Sequence, residues 1–181
     1  MKHFKSNLAF YIPLVIVLVV IGAIVWSFLS NRFSPPASQV KQKPLMGQIV
    51  PVLSREHVSD GTKIQYNSNP PAAGAHYVQP QDAGIYSKPP ADGHLVHSLE
   101  HGAIILWYNP NKLPKDQVAK LIAIFRAFPQ QKKIMTPRTS LDVPVALSSW
   151  GRILKLQTID TKQIKAFFET NYDRGPEQAD I

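Results

Sequence analysis

His97-Ser98-Leu99-Glu100-His101-Gly102-Ala103-Ile104-Ile105-Leu106-Trp107-Tyr108 joins a dense polar motif to an uninterrupted apolar run. The second half, Ala103 to Tyr108, is bounded by Gly102 and by Asn109-Pro110. A short apolar run between such breakers predicts a central strand buried on both faces. The first half places two imidazoles and a carboxylate against that strand. Burying them is costly unless they are paired, hydrogen-bonded or metal-bound. A second histidine motif lies upstream, Pro70-Pro71-Ala72-Ala73-Gly74-Ala75-His76-Tyr77, so four of the six histidines (His76, His94, His97, His101) fall in one stretch.

Working outward, Asp92 to His101 can form a short helix capped by Asp92 and ended by Gly102, with Leu95 and Leu99 as its core contacts. Val96 and the following strand leave an extended alternative open. On a helix, His97 and His101 lie at i and i+4, about 6 Å apart on one face, close enough to grip one ion. On a strand they would be about 13 Å apart, too far to share one. Downstream, a helix with Pro114 in its first turn and Pro129 beyond its end carries Val118, Leu121, Ile122, Phe125 and Phe128 on one face. Lys132 to Thr136 and Val143 to Ser148 are expected strands, and Ile153 to Leu156 extends or pairs with the latter across Trp150-Gly151-Arg152. A last helix has Asp160 as N-cap and Gln163 at N3, close to a capping box, and stops before Gly175-Pro176. Arg152 is expected to find an ion-pair partner on the sheet, and Trp107, Tyr108 and Trp150 to be core.

Upstream, Lys63 to Asn67 alternates and reads as a short strand. Asn69 to Gly93 holds too many prolines and glycines for regular structure. Its Tyr77, Ile85 and Tyr86 predict an ordered loop packed on the core. Interspersed strands and helices predict an α+β domain with a mixed sheet and two main helices, spanning residues 52–181.

Residues 8–29 carry no charge. As a helix they would extend about 33 Å, enough to cross a bilayer core. Tyr11 and Trp26 sit near the two ends, as interfacial rings do. The run is longer than a signal-peptide core and no Ala-x-Ala site follows it, so an uncleaved anchor is expected in place of a cleaved signal. Residues 1–7 are then a cytoplasmic tail and residues 30–51 a Pro-rich linker of about 3 Å per residue. Lys2 and Lys5 lie on one flank, Arg32, Lys41 and Lys43 on the other, so charge alone biases orientation weakly. With one span and a long C-terminal portion, the expectation is a single-pass cell-membrane protein, N-terminus cytoplasmic and domain extracytoplasmic.

The chain has 20 basic and 12 acidic residues, a formal net charge of +8. A tethered basic domain is attracted to anionic lipid or cell-wall polymers. No basic helix with interleaved aromatics points to nucleic acid. The absence of cysteine excludes disulfides, thiolate ligands and a cysteine nucleophile. Ser98 has no Gly-x-Ser-x-Gly elbow around it.

The candidate metal ligands are His76, His97, Glu100 and His101, with His57 or His94 in reserve. Such a donor set suits Zn²⁺ or Cu²⁺, whereas few methionines and no cysteine argue against Cu(I). Three functions stay open. One is a transition-metal site. The second is a non-catalytic structural or interaction module whose histidines form a hydrogen-bond network. The third is a metal-dependent hydrolase, because His97-x-x-Glu100-His101 matches the inverted zinc-protease pattern, although that pattern needs a longer helix and a third ligand.

The order and spacing of Pro70-Pro71-x-x-Gly74-x-His76-Tyr77, Gly84-Ile85-Tyr86, Leu95 to Gly102, Trp150-Gly151-Arg152 and Gly175-Pro176-Glu177 resemble a bacterial family of membrane-anchored proteins classed as a domain of unknown function. The resemblance covers about residues 55 to 178. His57-Val58 fits the family's opening His-Val, while Ala73 and Ala75 stand where Ser or Thr and Pro are expected. The resemblance implies one N-terminal span and an extracytoplasmic domain, and it supplies no activity.

Overall fold

The computed structural model describes residues 8–33 and 43–181. The tail expected at 1–7, and residues 34–42 of the expected linker, lie outside the described residues. The chain divides into two compact units, Met1–Gln42 and Lys43–Ile181.

In the first unit α1, Leu8–Phe33, is a 26-residue helix containing Pro13. Its large apolar side chains between Val15 and Leu29 are exposed, from 46% at Leu29 to 76% at Trp26. Among the described residues no helix is long and apolar enough to cross a membrane. The helix expected over residues 8–29 is present within α1.

The second unit is α+β and is organised around β5, Ile104–Tyr108. Its neighbours are β6, Lys133–Pro137, and β7, Val145–Ser149. With β1 (Gln48–Ile49), β4 (Gly84–Ile85) and β8 (Arg152–Leu156) they form a six-stranded sheet in the order β1-β8-β7-β5-β6-β4. The sheet is mixed, as expected: β5 is parallel to β6 and antiparallel to β7. A parallel neighbour requires a crossover, here α3, Lys115–Ala127. β7 and β8 instead form a hairpin across Trp150-Gly151, with Gly151 at φ +68°.

Alternation along β5 splits the core in two. Ile104 and Leu106, with Met135 and Leu147, pack against Leu121 and Phe125 of α3 and against Ile164, Phe167 and Phe168 of α4 (Thr161–Asn171). Ile105 and Trp107 face the other way, onto Leu95 and Leu99 of α2 (Asp92–Glu100). Layers on both faces explain why Ile104 to Trp107 all have 0% exposure. The unit thus has three helices, the short α2 joining the two main ones expected.

Several local expectations are corrected. Lys63–Asn67 forms no strand; it has no ladder partner, and the Tyr66 hydroxyl instead donates to the Ala75 carbonyl at 3.1 Å. Asp92 does not cap α2, whose N-cap is Ala91. Its carboxylate is gripped by Arg138 at 2.7 and 3.1 Å, and Arg138 also donates to Asn69 at 2.6 Å. Among the described residues Arg152 has no carboxylate partner, and it reaches the Gly47 carbonyl at 3.4 Å. The folded unit begins before residue 52, because β1 pairs with β8 and the Met46 backbone exchanges two hydrogen bonds with the Asn171 amide.

The long loop from Asn69 to Gly93 is pinned along its length. β3, His76–Tyr77, pairs in parallel with β2, His57–Val58, and β4 pairs with β6. Ser98 is a staple between them: its hydroxyl donates to the Gln81 carbonyl at 2.7 Å and accepts from the Gln81 amide at 2.9 Å.

The Asp160 carboxylate caps α4 through the amides of Lys162 and Gln163, both at 3.0 Å. The Gln163 side chain meets the same carboxylate at 2.8 Å, a variation on the expected capping box. The Gln163 contacts hold Asp160 below the usual carboxylate range. A depressed folded-state pKa contributes stability above the unfolded value, lost as pH falls through the folded one. Asp160→Ala should therefore lower the thermal midpoint by a few degrees at pH 7. The gap from the parent should narrow as the pH drops below about 4. Thermal melts by circular dichroism across that range provide the check, and a gap independent of pH would contradict this account of the cap.

Candidate functional site

The short β2–β3 bridge sets His57 opposite His76, and α2 runs across β3. Four side chains converge there. One ligand atom from each of His57, His76, His97 and Glu100 lies within 4.8 Å of the others. His76, His97 and Glu100 are 0%, 5% and 1% exposed, whereas His57 is on the exposed side.

Backbone carbonyls orient the rings. His76 Nδ1 donates to the Gly74 carbonyl at 2.9 Å. His97 Nδ1 donates to the Tyr77 carbonyl at 2.7 Å, and His101 Nδ1 to the Asp180 carbonyl at 2.9 Å. A carbonyl only accepts, so each Nδ1 carries the hydrogen and each neutral ring presents a bare Nε2. Metal-binding histidines are commonly keyed in this way.

The bare nitrogens then face other acceptors. His76 Nε2 lies 2.9 Å from Glu100 Oε2, yet neither atom has a hydrogen-bond partner of acceptable geometry. His97 Nε2 and His101 Nε2 are 3.0 Å apart. Such contacts hold only if a proton or a cation lies between the atoms. Burial, opposed by the Tyr77 hydrogen bond and aided by the His101, His76 and His57 rings, pushes His97 below the ordinary histidine range. The ring is then neutral at pH 7, the form that binds metal.

Of the residues expected from the sequence, His76, His97 and Glu100 come together. His101 stands beside the group at the C-cap of α2, with its nitrogen on His97 and not among the four. His57, held in reserve, takes that place. His94 is elsewhere, donating to the Gln79 carbonyl at 2.7 Å and 3.4 Å from Asp60. Among the described residues this is a group that could hold a metal ion, its four ligand atoms lying within 4.8 Å of one another.

Two partners escaped the sequence reading. Arg55 donates to Glu100 Oε1 at 2.7 Å, and that hydrogen bond raises the guanidinium above its usual value. Glu177 lies 3.5 Å from His101 Nε2 and 3.6 Å from Arg55. Only the Gly175-Pro176-Glu177 motif hinted at it. Held between Arg55 and His76, Glu100 is not free to be the general base that the inverted protease pattern requires.

The segment carrying Glu177 is seated by close backbone approach. The Glu177 amide donates to the Glu100 carbonyl at 3.1 Å. Gly175 passes so near that a Cβ there would overlap the Glu100 carbonyl and the Gly102 amide. Gly102, at φ +86°, ends α2 and turns the chain into β5.

A family model described as a protein of unknown function (DUF3105) matches residues 57–180, and the chain belongs to that family. Neither the curated proteins nor the solved structures include a significant match.

Gly175→Ala should destabilise the folded unit by roughly 1–3 kcal/mol, as overpacking does, because backbone and not a flexible side chain occupies the space. Urea unfolding would measure this, and an unchanged midpoint would show that the approach is looser than described.

Proposed function

We propose that this member of the DUF3105 family is a membrane-anchored bacterial protein whose extracytoplasmic domain binds one Zn²⁺ or Cu²⁺ ion through His57, His76, His97 and Glu100. One observation carries the metal assignment. The bare His76 Nε2 and the Glu100 carboxylate oxygen, both buried, face each other at 2.9 Å with no satisfactory hydrogen bond, inside a group whose donors lie within 4.8 Å. A divalent cation satisfies both acceptors at once. Nitrogen and oxygen donors without thiolate favour Zn²⁺ or Cu²⁺ over Cu(I).

The anchor rests on the uncharged run of residues 8–29 and on the apolar side chains exposed around α1. A helix apolar on all sides needs lipid or protein around it. The net positive charge favours contact with anionic lipid or wall polymers.

A second reading has its own support. Arg55, Glu100 and His76 form a chain of short contacts, 2.7 and 2.9 Å long. A shared proton would make it a purely structural network in an interaction module.

Tag-free full-length chain purified in detergent should contain about one Zn²⁺ or Cu²⁺ at neutral pH by elemental analysis and calorimetry. His76→Ala and His97→Ala should each weaken binding by at least about 100-fold, while His94→Ala leaves it unchanged. No stoichiometric ion, together with loss of stability in the first two variants, would establish the network reading. Protease added to spheroplasts should digest the domain and spare cytoplasmic controls; full protection would reverse the topology.

A further inference from the structure

Four donors complete a tetrahedral site, but the cluster holds a fourth histidine, His101, prepared in the same way. His101 directs Nδ1–H at the Asp180 carbonyl, 2.9 Å away, and aims its bare Nε2 at His97 Nε2 from 3.0 Å. The Glu177 carboxylate lies 3.5 Å from that nitrogen. His101 is 8% exposed, whereas the Glu177 side chain is 43% exposed. His101 is thus buried like His76, His97 and Glu100, while Glu177, like His57 of the inner set, reaches the surface. A nitrogen that only supported the fold would not need its lone pair turned toward a ligand atom.

We propose that His101 and Glu177 form a second, outer cation position beside the one formed by His57, His76, His97 and Glu100, and that a divalent ion passes between the two by exchange at His97. The inference rests on the metal reading above and deepens it. A site with an attached exchange position hands its ion on to an acceptor, whereas a structural site keeps it. Exchange at zinc can proceed through an added fifth ligand, and His101 is placed to be that ligand. His97 is common to both positions, so an arriving donor can replace an outgoing one without the ion becoming free. No bond beyond metal coordination is made or broken, and the charge on the ion is unchanged.

The test uses full-length chain in detergent, Zn²⁺ as the ion and a chromophoric chelator as acceptor, followed by stopped-flow mixing. Glu177→Gln keeps the backbone hydrogen bond to Glu100 and tests the outer carboxylate alone; His101→Ala removes the nitrogen. Both variants should slow uptake and release together by about tenfold or more, with the dissociation constant within about threefold of the parent. An outer position that is empty at equilibrium changes rates and not affinity. Faster release with weaker binding would make His101 a resident ligand and overturn the relay. Unchanged rates in Glu177→Gln would also overturn it, and that variant decides the matter if His101→Ala fails to fold. A parent protein that takes up no Zn²⁺ at all would remove the metal site itself, an outcome seen before any variant is compared.

Discussion

Covering β5 on both faces is the constraint from which the other features follow. A strand with no wet face must have its polar backbone groups satisfied by neighbours on either side, which β6 and β7 provide. It must also have apolar layers above and below. On one side, α3 and α4 supply phenylalanines. On the other, the layer is the short α2, which contributes Leu95 and Leu99. Because α2 runs into β5 through a single glycine turn, its final residues cannot swing out to solvent. Glu100 and His101 are therefore buried by the same geometry that completes the core.

This enforced burial makes the polar cluster chemically distinctive. A buried ionisable group must find a partner or forfeit solvation. Three rings have found half of what they need, one backbone carbonyl each at Nδ1. Their other nitrogens converge on one another and on a carboxylate. Arg55 adds a permanent positive charge from the half-exposed rim. The result is a site rich in lone pairs, in which Glu100 is paired with Arg55 on one side and faces a bare His76 nitrogen on the other.

How much of this the sequence disclosed depends on the range of the interaction. The β5 run, the amphipathic α3 and the Asp160 cap are local patterns, and the strands and helices lie close to their expected places. The histidine motifs marked the site because two of its members, His97 and Glu100, share one helical turn. What the sequence concealed was tertiary. Asp92 resembled an N-cap but serves Arg138, a partner far along the chain. His57 belonged to the site only through a two-residue parallel bridge, too short to leave a periodic signal. Arg55 and Glu177 are ordinary surface charges until the fold brings them to Glu100 and His101. The alternation of Lys63 to Asn67 misled because a strand needs a neighbour as well as a pattern.

The pairing of His57 with His76 across β2 and β3 has a consequence for the order of events in folding. The donor group draws on β2, β3 and α2, and its outer partners lie in the segment after α4. No local fragment contains a usable set, and bringing His57, His76 and α2 together closes two loops of chain before their contacts can reward it. An ion that recognises the complete group binds the native state and not its precursors, adding its binding energy to a structure already built. Loading would then be a checkpoint: only a finished molecule can acquire the ion, and a chain with one segment out of place stays empty.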